Sequence, residues 1–200
     1  MRYSNLINEV RIMVVNFIYE IGNLKRVKRS GWWLIGITNP ESVAEHSFRC
    51  IIIGYILAKL EKANLEKVLT MCMLQDLCEA RLNDLHKVGQ RYINFSKFEI
   101  EAFEDSIRDL PEEIREEFSE LFREYKEQKS LEAIIARDAD LLENAFQAME
   151  YREAGYRDAQ DWIENITKLL KTDSAKKIFK DMLKTSPNEW WKGLKKVGRI

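Results

Sequence analysis

The chain has 200 residues, of which 46% are hydrophobic, enough for one domain with a self-sufficient core. Its 32 basic and 33 acidic residues leave a formal charge of −1, which excludes a global attraction to nucleic acid polymers or to an anionic membrane and makes any anion site local. No apolar run approaches 18 residues without a charge, the N-terminus lacks a signal-peptide layout, and the three cysteines (Cys50, Cys72, Cys78) match neither a disulfide framework nor a zinc spacing, so a reducing, cytoplasmic location is expected.

Helical periodicity dominates, and proline and glycine are scarce, so the predicted fold is all-α: a single-domain helical bundle over 1–200, with core motifs in about 24–151 and closing helices in 158–197. The first helix is predicted from Asn5 to Gly22, burying Leu6, Val10, Met13, Val14, Phe17 and Ile21. Leu24-Lys-Arg-Val-Lys-Arg-Ser-Gly-Trp-Trp33 follows. On its own it reads as a solvated basic loop anchored by tryptophans. If it meets an acidic site, Lys25 or Arg29 suits an anionic group, and a tryptophan face suits a sugar or base.

Ser42 and Glu45 form a capping box that opens a helix to about Glu61, with His46 on the stripe of Val43, Cys50, Ile53 and Leu57. Asn64 caps the next helix, predicted to run through Leu65, Val68, Leu69, Cys72, Met73 and Asp76 and to fray near Leu82–Asp84. Asp84 would then lie about two turns above Asp76. Leu85–Phe95 reads as a loop carrying His86 at the surface. Ser96 and Glu99 suggest a second capping box for a helix to about Leu110, and Pro111 starts another to Lys129 with Ile114, Phe118 and Leu121 inward. Ser130 opens a helix to about Glu153, where Asp140 shares a stripe with Ala133, Ala136, Asn144 and Gln147, and where Asp138 and Glu143 are expected to act as ion-pairing or supporting groups. Two or three closing helices follow. Ser186-Pro187-Asn188-Glu189 signals the last of them, which Trp190 and Trp191 should pack onto the body.

His46, Asp76 and Asp140 are thus polar intrusions on three apolar stripes. Taken alone, an acid there is explained by an ion pair or a cap, and a histidine on an apolar stripe is more often a hydrogen-bonded core residue than a ligand. An uncompensated buried charge costs several kcal/mol, so three of them point more economically to one shared divalent cation. Glu79 and Asp84 add carboxylates nearby. A cation with open coordination positions lowers the pKa of bound water and polarises a phosphoryl oxygen, while a carboxylate handles the proton.

Leu24-Lys25 with Gly31-Trp32, Pro40-Glu-Ser-Val-Ala-Glu-His-Ser47, Leu74-Gln-Asp-Leu-Cys-Glu-Ala80, Asp84, Asp138-Ala-Asp-Leu-Leu-Glu143 and Gln147-Ala-Met-Glu-Tyr151 resemble, in order, the motifs of the HD-domain superfamily over about residues 5–195. The similarity is greatest to its 5′-deoxynucleotidase branch. That resemblance implies an all-helical HD-type fold, a homodimer, and hydrolysis of deoxyribonucleoside 5′-monophosphates with a divalent metal such as Mn, Co or Mg. It implies His46, Asp76 and Asp140 as metal ligands, with Glu79 positioning or deprotonating the attacking water and Asp84 beside phosphate and sugar. Trp32 corresponds to the family's sugar-facing tryptophan, and Arg29 stands near the place of its phosphate-contacting arginine.

One departure is prominent: the family's His-Asp pair reads Gln75-Asp76. A glutamine amide oxygen can serve as the fourth ligand, but it is neutral and a poorer donor to transition metals than imidazole, so weaker binding and a shift toward Mg²⁺ or Mn²⁺ are expected. The alternative is an HD-fold nucleotide-binding protein that has lost efficient metal binding.

Overall fold

The computed structural model describes residues 13–194. Leu6 and Val10 lie outside that range; the described part of the first helix, α1 (13–21), lays Val14, Phe17 and Ile21 on the core, while Met13 is largely exposed. Two 3-10 turns, Gly22–Lys25 and Ser30–Ile35, lead into α2 (Val43–Glu61), α3 (Leu65–Leu74), α4 (Glu79–Leu82), α5 (Lys87–Gln90), α6 (Phe95–Ile107) and α7 (Glu112–Glu127). The long α8 (Leu131–Glu153) is followed by α9 (Gln160–Thr167), α10 (Asp173–Met182) and α11 (Glu189–Lys192). The described residues form no strand, only an isolated antiparallel bridge between Lys28 and Ser42. The fold is the all-α single bundle expected.

Helix α8 is the axis, and α2, α3, α7, α9 and α10 pack on it. Its buried Ala133, Ala136, Ala139, Ala145 and Ala148 let neighbouring backbones approach closely. The predicted capping box starts α2: Ser42 Oγ accepts from Glu45 N at 3.2 Å, and Glu45 Oε2 accepts from Ser42 N at 2.6 Å. The stripe Val43, His46, Cys50, Ile53, Leu57 is buried throughout. Asp138 on α8 supports the closing helices, its carboxylate accepting from Lys171 N, Thr172 N and Thr172 Oγ1 at 2.7–3.2 Å. No described helix is long and apolar enough to cross a membrane.

Four local expectations are corrected. Helix α3 stops at Leu74, and Gln75–Cys78 form tight turns in which Leu77 N bonds Leu74 O and Glu79 N bonds Asp76 O. The predicted stripe breaks there, so Met73 is exposed while Asp76 still turns inward. The cap of α6 is Asn94, whose side chain accepts from Lys97 N, rather than Ser96. Residues 85–95 contain α5, with His86 capping it through Nδ1 to Gly89 N. At the C-terminal end Asn188 precedes α11, and Trp190 is 76% exposed rather than packed.

The contact between α2 and α3 depends on Gly54, where an added Cβ would stand 2.7 Å from Cys72 Sγ. Gly54→Val should therefore destabilise the chain by about 1–3 kcal/mol, read as a lower midpoint in chemical denaturation with an unchanged slope.

Candidate active site

The site is built where the N-terminal half of α2, the turn after α3 and the middle of α8 meet. His46 is fully buried on α2. Its Nδ1 is hydrogen-bonded to the Glu143 carboxylate of α8. Arg49 holds the other oxygen of that carboxylate, Nε to Oε1 at 2.9 Å, and is itself fixed by Gln147 and Glu150. With Nδ1 committed to Glu143, Nε2 points the other way, 3.2 Å from Asp140 Oδ1 and 3.4 Å from Asp76 Oδ2. The structure thus brings His46, Asp76 and Asp140 together as predicted, and gives Glu143 the supporting place expected of it.

The basic loop reaches the same point because it is stitched to the start of α2. Val43 N bonds Val27 O at 2.9 Å and Arg29 N bonds Glu41 O at 3.0 Å. Arg29 then lies with Nη1 3.6 Å from Asp76 Oδ2 and Nη2 donating to Asn144 Oδ1 at 3.0 Å, while Asn144 Nδ2 donates to Asp140. Asp84 accepts from Ser30 N at 2.5 Å. It follows the end of α4 at Leu82, expected near Leu82–Asp84, where Asn83 takes a positive φ of 61°, so helical geometry does not persist from Asp76 to Asp84. Trp32 is buried, donates Nε1 to Glu41 Oε1 at 3.1 Å and stacks on Trp162.

A cavity of about 490 Å³ opens onto this cluster, lined by Arg29, Trp32, Gln75, Asp76, Glu79, Asp84 and Asp140 and, on its far wall, by Trp162, Asn165 and Leu169 of and beyond α9. His86, read as a surface residue, also lines it. Lys25 does not: it is exposed at the end of the first 3-10 turn, whose geometry presents Arg29 rather than Lys25 to the acids. Gln75 is buried, but its amide is spoken for, with Oε1 accepting from Tyr125 Oη at 2.8 Å and Nε2 facing Cys50 Sγ at 3.4 Å.

Three buried atoms in the cluster make no hydrogen bond: His46 Nε2, Asp76 Oδ2 and Glu79 Oε2. A ring nitrogen and two carboxylate oxygens left in this condition are costly by themselves, and with the imidazole neutral they are the donor set a divalent cation wants. Glu41, His46 and Glu143 also bring ligand-capable atoms within 4.8 Å of one another. Of that group, Glu143 is already held by Arg49 and His46, and Glu41 by Trp32, which leaves the Nε2 side of His46 with the unengaged donors.

The electrostatics divide the acids into two sets. Burial works against ionisation of Asp76 and Asp140, but His46 and Arg29 hold Asp76 below the usual carboxylate range, and Arg137 and His46 hold Asp140 lower still. Burial and then the Asp76 charge push Glu79 well above that range, which favours a proton on it. Burial and Arg29 oppose the imidazolium of His46, yet Glu143, Asp140 and Asp76 outweigh them. Sequence reasoning passed over Arg137, Asn144 and Glu41. The signal for the first two was spacing, since Arg137 and Asn144 stand three before and four after Asp140 on one helix face.

Burial, reinforced by Glu143, raises Glu41 to about 7. A carboxyl that holds its proton longer folded than unfolded contributes stability at low pH that is lost as pH rises from the unfolded value through 7. Glu41→Gln should therefore match the unsubstituted chain near pH 4.5 and exceed it by about 1–2 kcal/mol above pH 7 in denaturant titrations, the full shift being discounted for residual solvent.

An HD domain family model matches residues 21–182. The chain is 30% identical over 149 residues to the human 5′-deoxynucleotidase HDDC2, covering 72% of this chain and 71% of that protein. It is 29% identical over 164 residues to the Dictyostelium discoideum 5′-deoxynucleotidase HDDC2, covering 78% and 83%. Among solved structures, the PH0347 protein from Pyrococcus horikoshii OT3 superposes with a TM-score of 0.72 at 33% identity, over 84% of this chain and 97% of that one.

Proposed function

The chain belongs to the HD domain family, and from that premise we propose that it is a metal-dependent phosphohydrolase acting on deoxyribonucleoside 5′-monophosphates. The observation that carries the reading is that His46 Nε2, Asp76 Oδ2 and Glu79 Oε2 are buried and unbonded, with Nε2 3.4 Å from Asp76 Oδ2 and both Asp76 and Glu79 on the cavity wall. The residues fit a divalent cation: His46, Asp76 and Asp140 would hold it, with Mg²⁺, Mn²⁺ or Co²⁺ as candidates. Bound there, it would supply an acidified water and charge stabilisation at a phosphoryl oxygen.

The chain's own groups do the rest. Glu143 fixes the orientation of the His46 ring, so that its Nε2 lone pair faces the cation. Glu79, the one carboxyl of the cluster disposed to carry a proton, exchanges it with the attacking water or the departing sugar oxygen. Arg29 offers its guanidinium to the phosphate, and Asp84, anchored on Ser30 N, stands at the cavity wall for the sugar. Trp32 is too deeply buried to offer a free face to the sugar; it backs Trp162, which is half-buried on the cavity wall and gives the nucleoside an aromatic face. Gln75 contributes at most a neutral oxygen that already carries the Tyr125 hydrogen bond, which favours the oxygen-preferring Mg²⁺ and Mn²⁺ over Co²⁺. The three free thiols, all buried, suit a reducing cytoplasm.

Phosphate release from a panel of deoxynucleoside 5′-monophosphates, with Mg²⁺, Mn²⁺ and Co²⁺ added separately, tests the reading. Turnover is expected with at least one metal and should vanish with chelator. Glu79→Gln should lower kcat by about 10²–10⁴-fold with little change in KM. A folded chain that binds the monophosphates but releases no phosphate with any metal would instead be the nucleotide-binding relative without catalysis.

We further propose a homodimer, because Phe48, Ile52 and Tyr55 form an exposed apolar stripe along α2. Light scattering on purified protein should give twice the chain mass; a monomer at every concentration refutes this.

A further inference from the structure

Four aspartates line the cavity, Asp76, Asp84, Asp140 and Asp161, and a phosphate dianion must be brought against the first three. Arg29 alone cannot balance them, since it is already divided between Asp76 and Asn144. Two lysines line the cavity but are turned to other partners. Lys126 pairs with Glu99 at 2.9 Å and lies over the Phe122 ring, and Lys87 bonds Gln90 at 2.9 Å.

The remaining cation of the cavity wall is Arg137. It rises from α8 one turn before Asp140, its Nη1 lies 2.5 Å from Asp140 Oδ2, and it interacts with Tyr125, the residue whose hydroxyl donates to Gln75 Oε1. Its side chain remains 39% exposed and lines the cavity, and a guanidinium has five N–H donors, more than Asp140 and Tyr125 engage. Arg29 and Arg137 therefore flank the His46, Asp76, Asp140 group from its two aspartate ends. Gln75 is a neutral neighbour; Arg137 adds a second fixed positive charge there.

We infer that Arg137 is a second phosphate-binding residue of this chain, forming with Arg29 a two-guanidinium clamp on the 5′-phosphate. This rests on the phosphohydrolase reading and adds to it a residue that governs affinity for the phosphate rather than for the nucleoside. A guanidinium suits the place better than an ammonium, because its planar fork can hold Asp140 with one edge and a phosphate oxygen with the other. The competing role is structural, in which Arg137 merely orients Asp140 for the metal.

Calorimetric titration of the Mn²⁺-loaded full chain with inorganic phosphate, and separately with thymidine, distinguishes the two. Arg137→Gln should weaken phosphate binding about tenfold or more, leave thymidine binding unchanged, and leave the affinity for Mn²⁺ alone within about twofold. Arg137→Lys, which keeps the charge and the ion pair, should lose about half of that effect on a logarithmic scale and guards against a folding defect in the first variant. Unchanged phosphate affinity in Arg137→Gln, or a loss of Mn²⁺ affinity that accounts for the whole phosphate effect, overturns the inference alone. Failure of the unsubstituted chain to bind either phosphate or thymidine overturns the phosphohydrolase reading with it.

Discussion

The hydrogen bond between His46 Nδ1 and the Glu143 carboxylate is the constraint on which the site depends. It crosses from α2 to α8, the two helices whose packing organises the bundle. A neutral imidazole has one lone pair, and a carboxylate on Nδ1 settles which nitrogen keeps it. Arg49 in turn fixes Glu143 and is held by Gln147 and Glu150, so the ring is braced by four side chains, and the nitrogen proposed to face the metal comes from the interior of a rigid helix pair rather than from a loop.

Around that nitrogen the structure balances acids and bases within a few ångströms. Arg29 and Arg137 each stand beside one aspartate, and Asn144 links Arg29 to Asp140, so neither aspartate is an isolated buried charge. Among the described residues Glu79 forms no ion pair of its own, and burial together with the Asp76 charge outweighs the pull of Arg29, so its proton affinity rises. One carboxyl primed to carry a proton beside two held ionised is the separation of roles that acid–base chemistry at a metal-bound water needs. The substitution at Gln75 is absorbed by Tyr125 and Cys50, which give its amide partners of its own.

Much of this was legible from periodicity. The stripes of α2 and α8 turned His46 and Asp140 inward because 3.6-residue spacing survives burial, and the Ser42–Glu45 capping box fixed the start of α2. Asp76 was found for a reason that failed: its helix breaks at Leu74, and tight turns, not a stripe, bring it to the cavity, whereas the expected end near Leu82–Asp84 is where α4 stops, at Leu82. Such a break has no strong sequence signature here, with neither proline nor glycine between Leu74 and Asn83. The basic loop was ambiguous between Lys25 and Arg29 because the choice is made by its pairing with residues 41–43, a long-range contact that local pattern does not encode. Arg137 was hidden for the opposite reason, as an ordinary i,i+3 partner in a charged helix that becomes significant only once the cavity wall is known.

The central claim is the place of the cation: on the Nε2 side of His46, between Asp76 and Asp140. Anomalous scattering at the manganese edge from crystals grown with Mn²⁺ addresses it directly. The account predicts one peak within coordination distance of His46 Nε2 and of carboxylate oxygens of Asp76 and Asp140. A peak instead among Glu41, His46 and Glu143, or none at a manganese concentration that saturates binding in solution, would contradict it.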